Sequence, residues 1–221
     1  MRHAIITACA AACFWTIAAA AHAADGDLDA TFGTGGKTTT DFAGGATSDR
    51  ANGLVVDGSG RHIVVGRSEN AGVVSFAIAR YTAAGVLDTT FNGADLKPGT
   101  NLHTIGSGTD QNALAVTVDG SGRYIVAGYA ENGAAGYDMA IVRFSSTGLL
   151  DSTFGNLGVV LTDFAGNGGD DHARAVVMSG ANIVVAGDAQ DSSGKVNVAL
   201  ARYDANGVLD PAFDTDGRVI T

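Results

Sequence analysis

From residue 37 onward, short apolar runs alternate with clusters of Gly, Asp, Asn and Ser, the pattern of strands separated by turns. Four kinds of run recur in order. The first covers residues 37–42, 101–105 and 159–164, the second 53–56, 114–118 and 173–177, and the third 62–65, 124–127 and 183–186. Each third run is closed by a glycine, Gly66, Gly128 or Gly187, and the fourth runs are 75–81, 139–144 and 198–203. In the fourth run Phe76, Ile78 and Arg80 alternate with Ala77, Ala79 and Tyr81, so both faces are largely apolar and both must be covered. The second and third runs are joined by Asp57-Gly58-Ser59-Gly60-Arg61 and Asp119-Gly120-Ser121-Gly122-Arg123, which predict hairpin turns. In the third copy, Met178-Ser179-Gly180-Ala181-Asn182 keeps the length and loses the acid, which argues against a binding role common to all three turns.

One phrase marks the period. Leu28, Asp29 and Phe32 return as Leu87, Asp88 and Phe91, as Leu150, Asp151 and Phe154, and as Leu209, Asp210 and Phe213, about 60 residues apart. The chain is therefore a tandem array of one supersecondary unit. The repeats divide as 24–85, 86–148 and 149–207, with a partial fourth at 208–221. A unit of four antiparallel strands with both faces covered is what a propeller blade requires. The expected fold is all-β: tandem four-stranded antiparallel β-propeller-like blades, three full repeats plus a first strand of a fourth. Because closed propellers use four or more blades, three leave apolar faces open, so a homo-oligomer or a partner chain completing a ring is expected, unless the chain is a shortened relative of a longer propeller.

Three submotifs recur in order: G-x-L-D-x-x-F-G, then D-G-x-G-R-x-I-V-x-G, then A-x-x-R-Y/F. Together they resemble the bacterial delta-60 repeat of exported proteins over nearly all of residues 25–221. The resemblance implies a β-propeller-like fold and brings no reaction, ligand or catalytic residue.

The N-terminus places Arg2 and His3 before an apolar stretch and reaches Ala21-His22-Ala23, the layout of a secretory signal cleaved after residue 23. Export to the periplasm or beyond is expected, with no membrane association after cleavage. Cys9, Cys13 and Trp15 leave with the signal, so disulfides, thiolate nucleophiles and cysteine-ligated metals are excluded from the remaining chain. That chain holds 12 basic against 23 acidic side chains, which argues against nucleic acid and anionic membranes as partners.

The candidate chemistry is sparse. Arg80, Arg143 and Arg202 each stand eight residues before Asp88, Asp151 and Asp210, and an arginine on an apolar strand needs a partner, so a repeated structural ion pair is expected. No cofactor is expected; calcium is the one conceivable ion, and neither the run from Asp25 to Asp29 nor that from Asp214 to Gly217 has the twelve-residue loop spacing. No histidine pair has metal-ligand spacing, and no serine sits in a nucleophile elbow. Function in a repeat protein sits where a copy breaks the pattern, which singles out His103, beside the insertion 92–100, and Asp171 with His172 in a polar loop before the second run. A non-enzymatic module making protein or glycan contacts is the expected function. The alternative is a hydrolase or lyase assembled between blades, which requires His103, His172 and carboxylates to converge.

Overall fold

The computed structural model describes residues 26–44, 48–93, 97–133, 136–164, 166 and 168–221. The expected signal, residues 1–23, and Asp25 lie outside them. Among the described residues twelve strands form three four-stranded antiparallel sheets. Sheet 1 is β1 (Ser48–Val56), β2 (His62–Asn70), β3 (Val73–Tyr81) and β4 (Thr100–His103) in spatial order. Sheet 2 repeats this with β5 (Gln111–Val118), β6 (Tyr124–Glu131), β7 (Tyr137–Phe144) and β8 (Val159–Thr162). Sheet 3 does so with β9 (Asp171–Ser179), β10 (Asn182–Gln190), β11 (Val196–Tyr203) and β12 (Arg218–Ile220).

Sheet and sequence repeat are out of phase by one strand. Every sheet takes its outer strand from the first run of the following repeat, so the first strand of the fourth repeat, β12, pairs with β11 and completes the third blade. The repeated Leu-Asp phrase consequently connects the third and fourth strands of one blade. The run 37–42, which opens the first repeat, belongs to no sheet and makes only isolated bridges between Lys37 and residues 33 and 34.

The strands also run longer than the apolar runs that predict them. Gly66, Gly128 and Gly187 do not end the second strand of each blade but lie inside it. A Cβ on these glycines would fall 1.8 Å from Arg50 O, 1.9 Å from Asn112 O and 1.8 Å from His172 O, where the first strand bulges towards them. Register shifts at Ala51/Gly53, Ala113/Ala115 and Ala186/Gly187 mark those bulges. Glycine there permits close backbone approach within a continuing ladder.

The blades pack face to face. β5 lies against β1, β2 and β3, and β9 against β5, β6 and β7. Two apolar cores result. The first joins Ile63, Val65, Phe76, Ile78 and Phe91 to Ala113, Tyr124 and Val126. The second joins Ile125, Met139, Ile141 and Phe154 to Ala173, Val176, Ile183 and Val185. The middle blade thus gives one face to its successor and the other to its predecessor, as the two-sided apolar pattern of the fourth run requires.

Candidate functional site

The repeated polar residues hold blades together. Arg80 is 2 % exposed on β3 and donates Nε to Asp88 Oδ2 at 2.8 Å, Nη2 to Thr90 Oγ1 at 2.9 Å and Nη1 to Ser146 O in the next blade. Its guanidinium lies 4.9 Å from the centre of the Phe91 ring. Arg143, also 2 % exposed, repeats the set with Asp151 at 2.8 Å, Thr153 at 3.0 Å, Ala205 O and Phe154. Arg202 binds Asp210 at 2.8 Å and lies over Phe213, and its side chain is 25 % exposed. Hydrogen bonds from the Thr153 hydroxyl and, against burial, from its amide, together with Arg143, hold the Asp151 carboxyl below its ordinary value. In the first copy Asp29 is capped by Thr31, and Phe32 packs edge-on to His62 at 5.5 Å. The leucines of the phrase, Leu87, Leu150 and Leu209, bridge back to Tyr81, Phe144 and Tyr203, whereas Leu28 is exposed.

Of the three residues singled out as repeat-breaking, Asp171 and His172 are consecutive on β9 and His103 lies on β4. His103 ends β4 and lines a crevice with Ile105, Leu150, Asn156 and Leu161, where burial lowers its pKa. No carboxylate lines that crevice among the described residues, and His172 is not part of it. Asp171 is fully enclosed and accepts the Phe164 amide at 2.7 Å and the Gln190 amide at 3.1 Å; burial pushes its carboxyl up. It fixes the entry to β9. Asp49 accepts the Phe42 amide, and Gln111 the Ile105 amide, at the equivalent places.

His172 lies on β9 rather than in a loop, and it gathers side chains that the equivalent positions of the other blades do not carry. Its ring stands edge-on to Tyr129 at 4.6 Å and tilted to Tyr137 at 5.9 Å, and the two tyrosines meet edge-on at 5.0 Å. Nδ1 is 3.0 Å from Asp188 Oδ2, and Arg174 donates to the same carboxylate. Burial alone would raise the Asp188 carboxyl, but the bonds from Arg174 and His172 outweigh it and hold the group below its ordinary value. Tyr137 donates its hydroxyl to Asp110 Oδ2 at 3.2 Å, and burial with that neighbouring charge pushes its pKa up to about 12. The result is a partly exposed step of three rings edged by Asp110, Asp188 and Arg174.

Register explains why this step is unique. Tyr129 pairs across the sheet with Met139 and is matched by Arg67 in the first blade and Asp188 in the third, while Tyr137 is matched by Val74 and Val196. The sequence signal was available, since two tyrosines replace non-aromatic residues at fixed repeat positions, but they stand in a different blade from His172. Among the described residues no group of three or more His, Cys, Asp or Glu is placed to hold a metal ion. The step offers stacking surface, one guanidinium and carboxylate acceptors.

No curated protein matches the chain. Residues 58–91, 120–154 and 182–213 match a family described as a domain of unknown function (DUF5122) beta-propeller, one match to each blade and each ending at the phenylalanine of the following phrase. Over these three segments the chain is similar to repeats of this β-propeller family.

Proposed function

We propose that this chain is an exported, non-enzymatic binding module, and that its contact surface for a glycan or an exposed protein segment is the step formed by Tyr129, Tyr137 and His172. The observation that carries the reading is that the three rings converge from two blades, at positions where the other copies carry non-aromatic residues. Tyrosine and histidine rings supply rigid amphipathic area with little entropy lost on binding, and the flanking Asp110, Asp188 and Arg174 supply orienting hydrogen bonds. The hydrolase or lyase reading needs His103 and His172 beside one another with carboxylates, and the two line different surfaces.

The test is binding to arrays of neutral oligosaccharides and of synthetic peptides, comparing the wild-type chain with Tyr129→Ala and Tyr137→Ala. Wild-type binding lost in both variants, with melting temperature lowered only modestly, is expected. Binding that survives both substitutions overturns the assignment of the surface.

A further inference from the structure

We propose that the open face of the third blade is a docking surface for the first blade of a second copy of this chain, joined head to tail as the blades within one chain are joined. Both halves of an interface already built twice in the molecule are presented unpaired among the described residues, one on the third blade and one on the first.

The face that each blade gives to its successor carries the arginine. In the first two blades the residues beside it, Phe76 and Met139, are 2 % and 0 % exposed. Their equivalent in the third blade, Val198, is 60 % exposed, and Val177 on the same face is 56 % exposed. The arginines give the same signal. Arg80 and Arg143 each reach a carbonyl in the turn of the next blade, Ser146 O and Ala205 O, whereas among the described residues Arg202 has no such carbonyl and keeps only Asp210 and Phe213. By the repeat, the missing acceptor is the carbonyl of Ala83, in a first blade.

The face that each blade gives to its predecessor is open on the first blade. Val116 packs into the first core and Val176 is 7 % exposed in the second, but their equivalent, Leu54, is 60 % exposed. Leu54, Val64, His62 and Tyr81 line a cleft of about 500 Å³. Residues 29–42 cover only its outer side, and they do so with the bonds of a preceding blade. Gly33 N donates to Ala84 O as Gly155 N does to Asn206 O. The Thr40 hydroxyl meets Tyr81 as Thr162 meets Tyr203, and Phe32 abuts Gly85 as Phe154 abuts Gly207. The segment thus corresponds to the last turn and outer strand of a blade, and among the described residues no other strand of such a blade stands on this face. The third blade of a second copy supplies them. Residues 29–42 of the receiving copy and 210–220 of the incoming one are the same part of the repeat, so one of the two holds the shared outer place in the joint. Such a contact is heterologous, using two different faces.

The test uses Leu54→Lys and Val198→Lys, both at exposed positions, with light scattering after size exclusion over a concentration series. The wild-type chain is expected to reach at least twice the single-chain mass, and each variant alone to stay at the single-chain mass with the urea midpoint of the dilute wild-type chain. Mixing the two variants restores a two-chain species, because the intact first-blade face of one meets the intact third-blade face of the other. A wild-type chain that stays at the single-chain mass at every concentration overturns the proposal. So does association sensitive to Val198→Lys but not to Leu54→Lys, which would mean that like faces pair, and so does a mixture that fails to recover.

Discussion

Replacing Arg143 by Met keeps most of the aliphatic stem over Phe154 and removes three donated hydrogen bonds, to Asp151, Thr153 and the carbonyl of Ala205. Breaking a buried pair by deleting one partner costs about 3–5 kcal/mol, chiefly because the other charge is left behind. Asp151 is not wholly abandoned. Its side chain is 15 % exposed, it keeps the Thr153 amide and hydroxyl, and Arg123 stands 3.7 Å away. The low end, about 3 kcal/mol, is therefore expected. Arg202→Met removes one bond to Asp210 from a side chain that is 25 % exposed, so solvent screening brings its cost to about 1 kcal/mol. At about 2–4 °C per kcal/mol for a chain of this size, melting temperatures should fall by about 9 °C and about 3 °C respectively. The comparison is made by circular dichroism on dilute protein, so that association does not protect Arg202. Equal shifts, or an unchanged melting temperature for Arg143→Met, would refute the reasoning that the arginine clamps neighbouring blades.

Gly128→Ala places a Cβ 1.9 Å from Asn112 O, so the bulge must open; a loss of about 3 kcal/mol or more in urea unfolding is expected, against under 1 kcal/mol for Gly120→Ala in the open turn. Thr162→Val strands the buried Tyr203 hydroxyl, which lies 2.8 Å from the threonine, and should cost about 1–3 kcal/mol. Adding Tyr203→Phe should recover part of that loss, and a double variant no better than Thr162→Val would sink the pairing argument. The carboxyls of Asp88 and Asp151 sit below their unfolded value, so their stabilisation is complete above about pH 4 and is lost as pH falls through their folded values. Melting temperature should drop across that acid range, and less steeply in Asp151→Asn; an equally steep drop in the variant would assign the acid sensitivity elsewhere.

The strands were legible because each is a short apolar run between turn residues, and the arginine with its aspartate because a charge on an apolar strand has to be answered. Three features were not legible. The glycine after each third run reads as a stop because turns favour glycine, yet here it admits a neighbouring carbonyl inside the ladder, and nothing local distinguishes the two uses. The sheet boundary was hidden because a tandem repeat can be cut at any point of its period; only pairing shows that the run after the phrase returns to the preceding sheet. The aromatic step was hidden for a related reason. Tyr129 and Tyr137 lie on one blade and His172 on the next, and a contact between blades leaves no spacing in the chain.

That offset has a mechanical consequence. Because the phrase joins the third and fourth strands of one blade, its aspartate answers an arginine of that same blade, while its phenylalanine abuts a glycine of the next: Phe91 on Gly148, Phe154 on Gly207. The arginine then reaches over that ring to a carbonyl beyond the joint. One side chain therefore couples its own strand, its own connection and the neighbouring blade, and a blade with no neighbour on that side lacks the last of these bonds. Stability in such an array resides in the joints as much as in the sheets. The third blade, whose arginine is the one left without that carbonyl, is expected to open first in hydrogen exchange, from β11 and β12 inward. Occupation of its open face by a second copy should slow exchange there before anywhere else, since a docked blade supplies the one interaction that the first two blades already have and the third does not.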